Sequence, residues 1–105
     1  MVIVRNVKTM DYYDNLNNVW VTEFRCPICD KLLAKMYSSS IGVQVFTYIP
    51  CQHYELKVLG NCCTPFSCCF DESICGKKEK IEELWNTADL IINDGSTYYL
   101  YFLKS

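Results

Sequence analysis

Four residues in the first half of the chain have the types and spacing of a metal centre. Cys26 and Cys29 are separated by two residues, which lets both sulfurs turn toward one ion while backbone N–H groups support them. Cys51 and His53 follow after 21 intervening residues and offer a second pair of donors from a second turn. Three thiolates and one imidazole are a donor set that zinc favours, and a structural zinc fills all four of its tetrahedral positions with protein. Zinc would also answer an energetic need. A short chain buries modest apolar area, and a structural zinc can supply about 10 kcal/mol or more of apparent folding free energy.

The chain has eight cysteines among 105 residues, so five remain: Cys62, Cys63, Cys68, Cys69 and Cys75. Their spacing matches no standard single-zinc pattern. Adjacent cysteines do not readily bridge each other, so disulfides would run from the first pair to the second or to Cys75. Free thiols and a second metal are the alternatives, and so is a zinc held by Cys26, Cys29, Cys51 and one of these five. Disulfides in a reducing compartment are unusual outside hyperthermophiles.

The turn at Cys26, Pro27, Ile28 and Cys29, followed by a hairpin and a second knuckle, resembles a zinc ribbon or related zinc-finger module over residues 20–58. Its second knuckle, Cys51 to His53, departs from the ribbon's two-cysteine pattern. In size, composition and zinc knuckle the chain is similar to small proteins of archaeal viruses and mobile elements. That resemblance implies a regulator of transcription or an inhibitor of a host factor. A second resemblance is to the glutaredoxin active site, with Cys26 and Cys29 opening a helix over 30–39 and Pro50 as the cis-proline. It implies an exposed Cys26 of low pKa, whereas zinc implies a protected one. Glu55, two residues after His53, occupies the position of a zinc deaminase's acid–base glutamate, but the downstream cysteine pair of that motif is missing.

The elements that must position these residues are mostly strands. Residues 1–8 are rich in Val and Ile and read as the first strand, and the Asp- and Asn-dense residues 9–18 read as a loop. Residues 19–25 form a strand that delivers Cys26. Residues 31–37 fit a strand or a short helix, residues 41–49 alternate as a strand, and residues 53–59 as another. A Cys-rich loop covers 60–76. Ile81, Leu84, Trp85 and Ala88 then lie on one face of an amphipathic helix. Asp94 and Gly95 between two β-rich runs signal a hairpin with a type I′ turn. The alternative extends the helix to Asn93 with Gly95 as its C-cap. The expected class is α+β: a small, mostly antiparallel sheet with a zinc-knuckle hairpin, a C-terminal amphipathic helix and a terminal hairpin or strand. Residues 1–105 read as one domain, with helix and terminal strands over 77–105.

Composition narrows function. With 50% hydrophobic and 21% charged residues the chain is globular, and its net charge of −2 argues against binding phosphates by bulk positive charge. No apolar run approaches the ~20 residues of a membrane span, which predicts no membrane partner. The first residues lack the pattern of a secretory signal, which predicts an intracellular protein. The expected function is a non-catalytic zinc-binding module for a protein partner, with Tyr and Trp side chains as anchors. The alternative is nucleic-acid binding through Arg25, Lys31, Lys35, Lys77, Lys78 and Lys80, with Tyr98, Tyr99, Tyr101 and Phe102 stacking bases. A terminal strand as apolar as 98–103 must be central or covered, by a second copy if the protein is a homodimer.

Overall fold

A computed structural model of the chain describes residues 2–60 and 78–104, with side chains described for 2–60 and 82–104. The Cys-rich segment and its five cysteines, Cys62, Cys63, Cys68, Cys69 and Cys75, lie outside the described residues. So do the side chains of Lys77, Lys78, Lys80 and Ile81.

Strands β1 (Val2–Val4), β2 (Lys8–Asp14), β3 (Val19–Arg25), β4 (Leu32–Ser39), β5 (Gly42–Thr47) and β6 (Tyr54–Gly60) precede the helix α1 (Lys78–Thr87). Strands β7 (Leu90–Asn93) and β8 (Thr97–Leu103) close the chain. They form two antiparallel four-stranded sheets. One is the sequential meander β2-β3-β4-β5, and the other has the order β1-β7-β8-β6.

The sheets pack face to face. Phe24, Leu33 and Ala34 of the meander meet Tyr54, Leu90, Ile92 and Tyr101 of the second sheet, with Cys26 and Cys51 in the same buried cluster. Ile91 and Leu100 lie on the other face of the second sheet, under Trp85 and Ala88. Residues 90–92 are therefore buried on both faces, which explains their unbroken apolar run. Tyr98 to Leu103 lie in β8, a central strand flanked by β7 and β6, as its apolarity requires.

The α+β expectation is corrected: the chain is mostly β. The helix contributes a cap over one end of the second sheet, not the amphipathic layer read from the spacing. Ala88 already lies beyond its end, and β7 begins at Leu90. That strand also overturns the helix extended to Asn93. Arg5 closes the helix by donating from Nη1 to the carbonyls of Trp85 (3.0 Å) and Ala88 (2.6 Å).

Two local readings change as well. Residues 8–14 are a strand and not a loop, because their polar side chains are satisfied across the sheet. Thr22 donates to Asp11 at 2.6 Å and Tyr12 to Glu23 at 2.9 Å. The turn is confined to the last Asp/Asn positions, where Asp14 accepts the N–H groups of Leu16 and Asn17 and Asn18 takes a left-handed φ of 53°. The hairpin at Asp94 forms, but without the type I′ geometry. Among the two expected centres only Gly95 has positive φ, and the Asp94 carboxylate organises the connection by accepting the N–H groups of Ser96 and Thr97, both at 2.9 Å.

Candidate metal centre

The β3–β4 connection carries Cys26 and Cys29, and the β5–β6 connection carries Cys51 and His53. The first turn is closed by two backbone bonds, from Cys26 N–H to the Lys31 carbonyl (3.0 Å) and from Asp30 N–H to the Cys26 carbonyl (2.9 Å). Closing it requires a left-handed residue, and Asp30 supplies this with φ of 63°. Asp is among the few non-glycine residues that tolerate that region. Arg25 donates to the Asp30 carbonyl at 3.0 Å, and Lys8 pairs with its carboxylate at 3.2 Å. The second turn is pinned by Tyr54 N–H on the Cys51 carbonyl (3.2 Å) and Lys104 N–H on the His53 carbonyl (2.8 Å).

These turns bring all four predicted ligands together. The donor atoms of Cys26, Cys29, Cys51 and His53 lie within 4.8 Å of one another, and as a group they could hold a metal ion. His53 Nδ1 is 3.7 Å from both Cys26 Sγ and Cys51 Sγ. Metal–sulfur and metal–nitrogen bonds of about 2.3 and 2.0 Å at tetrahedral angles place such atoms about 3.6 Å apart, so the donor set fits a tetrahedral ion. Cys26 and Cys51 are buried, His53 is half-buried and Cys29 is exposed. Cys26, Cys29 and Cys51 are free thiols.

The electrostatics divide the two buried thiols. Burial pushes the Cys26 thiol up, but N–H groups of Cys29 and Ile28 and the thiols of Cys29 and Cys51 outweigh it and hold Cys26 below the ordinary thiol value. Burial dominates at Cys51 and raises it, against the N–H of His53. Beneath them Tyr54 donates its hydroxyl to the Asn6 carbonyl. Burial first, then Asp89 and the two thiols, push its phenol up to about 12.

Sequence reasoning missed Asp30 and Tyr54. The signal for Asp30 was present, since the residue after such a pair must close the turn and a small polar side chain suits the left-handed conformation. Tyr54 carried no such signal, because its role depends on Asn6, 48 residues away.

The glutaredoxin arrangement is absent. Cys29 is followed by a turn and the strand β4, not a helix, and no peptide bond among the described residues is cis. Cys26 is 0% exposed. Glu55 follows the inward-facing Tyr54 and so projects from the other face of β6, away from the four donors.

Among the residues read as a nucleic-acid surface, Arg25 and Lys35 are engaged by Glu23, Lys31 is exposed, and Tyr98, Tyr99 and Phe102 are half-buried. Arg25 donates to Glu23 at 2.8 Å, and Lys35 lies 3.9 Å from the same carboxylate. Tyr101 is fully buried. Among the described residues no helix is long and apolar enough to cross a membrane. No protein-family model, curated protein or solved structure matches the chain.

Proposed function

We propose that the protein is a non-catalytic binding module for a protein partner, held together by one structural zinc on Cys26, Cys29, Cys51 and His53. The observation that carries the reading is the convergence of three thiols and one imidazole nitrogen from two separate turns. A soft S₃N donor set at tetrahedral spacing selects zinc over the hard cations, which take oxygen ligands. Protein atoms fill all four positions, leaving none open for a substrate or an activated water, so the ion serves structure.

Its place in the fold supports the same role. Cys26 and Cys29 sit in the central β3–β4 turn of the meander, while Cys51 and His53 lie where the chain crosses from β5 into the second sheet. One ion here ties the two sheets at their crossover. The four donors are compatible with zinc, but neither the two-sheet framework nor any matching family singles out the ribbon type. A protein partner is favoured over nucleic acid because the net charge is −2 and Arg5, Lys8, Arg25 and Lys35 are held by internal partners.

Native mass spectrometry of the as-purified protein, beside the denatured and alkylated mass, tests the zinc. One zinc per chain, with Cys26, Cys29 and Cys51 protected from alkylation until the metal is chelated, is the expected result. A metal-free folded chain with reactive Cys26 would overturn the reading.

A further inference from the structure

Among the described residues the two sheets have four edges, and three of them are blunted against pairing with another strand. Strand β2 carries Lys8, Asp11 and Asp14, and β6 carries Glu55 and Lys57. Strand β1 is only three residues long and is followed by Arg5. Strand β5, with the sequence GVQVFT, has none of these devices. It carries no charge and no proline, and its register with β4 runs unbroken from Ser39 and Gly42 to Ala34 and Thr47. From Met36 to Gln52 the chain has no charged residue at all. An edge of this kind is a template for another strand, and natural proteins do not leave such edges bare.

The geometry points to a second copy of this chain as the occupant: we propose that β5 pairs antiparallel with β5 of a twin molecule about a two-fold axis at Val45. The ladder fixes which backbone groups are free. Tyr48 N–H donates to the Leu33 carbonyl at 3.1 Å, so residue 48 is in a hydrogen-bonded pair with β4. By antiparallel alternation Gly42, Gln44 and Phe46 also bond inward, and Val43, Val45 and Thr47 turn their N–H and C=O groups to the open side.

An antiparallel pair centred on Val45 sets Val43 opposite Thr47 of the second copy, so all three outward residues find partners. It also sets Ile41 opposite Ile49 of the second copy. Those two residues are 96% and 82% exposed, among the most exposed aliphatic side chains described, and they lie four positions either side of Val45. A two-fold axis requires that symmetry and a foreign strand does not. The uncharged edge also meets itself with no like charges opposed.

The test uses the full chain as purified, by sedimentation velocity across micromolar concentrations and by hydrogen exchange of assigned amides. The wild type is expected to be a reversible dimer whose Val43, Val45 and Thr47 amides become protected as concentration rises. Val43→Lys adds a charge to the edge and Thr47→Pro removes an outward N–H. Each is expected to raise the dimer dissociation constant roughly tenfold or more while the circular dichroism of the fold is retained. A wild-type chain that stays monomeric overturns the proposal, and protection of β5 only on adding a foreign extended peptide would assign the edge to another protein. A dimer whose three β5 amides stay unprotected also overturns it, whether or not either variant folds.

Discussion

Tyr101 of β8 donates its phenolic hydrogen to the carbonyl of Leu33 in β4, 3.0 Å away and 68 residues apart in sequence. This bond crosses the buried seam between the two sheets. Burial first, with a smaller effect of Tyr99, keeps the phenol raised and therefore neutral, so it remains a donor through the physiological range.

Tyr101→Phe keeps the ring and removes the donor. The Leu33 carbonyl keeps its bond from the Tyr48 N–H, so the expected loss is that of one hydrogen bond across the seam, about 0.5–1.5 kcal/mol of unfolding free energy. Urea denaturation with an unchanged m-value checks this. A loss below the fitting error would mean that the Tyr48 N–H alone satisfies the carbonyl and that the Tyr101 hydroxyl adds nothing to stability.

Cys26→Ser should do far more. It removes a buried ligand and with it most of an ion worth about 10 kcal/mol or more to folding, so the variant is expected to be unfolded at room temperature. Chelation of the wild type should give the same far-UV spectrum. Melting of Cys26→Ser at the wild-type temperature would refute the structural role of the metal.

Asp30 separates backbone geometry from charge. Its left-handed φ suits glycine best, and its exposed ion pair with Lys8 is worth little. Asp30→Gly is therefore expected to melt within a few degrees of the wild type, and Asp30→Ala to lose about 1 kcal/mol more than Asp30→Gly. Equal losses in the two would place the effect in the carboxylate.

The hairpin at Asp94 should give an acid-dependent contribution. The Ser96 N–H is the main cause holding this carboxyl below its ordinary value of 3.8, with help from the Thr97 N–H, the Ser96 hydroxyl and Tyr99, against a smaller effect of burial. A depressed folded-state pKa means stability that is fully present above the unfolded value and lost as pH falls through the folded one. Asp94→Ala is thus expected to cost about 1 kcal/mol at neutral pH, a gap that closes as the pH is lowered below 3.8. A gap constant down to acid would argue against the carboxylate as its source.

The candidate site was more legible than the fold around it. Cys26, Cys29, Cys51 and His53 announce themselves because ligand type and short-range spacing are local properties of the chain. The strand β2 was hidden by Asp11 and Asp14, since the same residues mark turns and protect sheet edges. The helical spacing holds as far as Ala88, whose N–H bonds to the Leu84 carbonyl at 3.0 Å, and goes no further because the burial of Leu90, Ile91 and Ile92 on both faces of a sheet overrides a local period. Two sheets could not be told from one, because β1 pairs with β7, Val2 opposite Ile92, and no local pattern records a partner that distant.

That pairing sets an order of assembly. The meander and all four candidate donors are complete by residue 53, so a growing chain holds everything needed to form its first sheet and gather those donors before β7 and β8 are made. The second sheet has to wait for β7 and β8. Until they emerge, β1 is a lone strand, and its union with β7 is the step that joins two segments lying on either side of the whole first sheet in sequence.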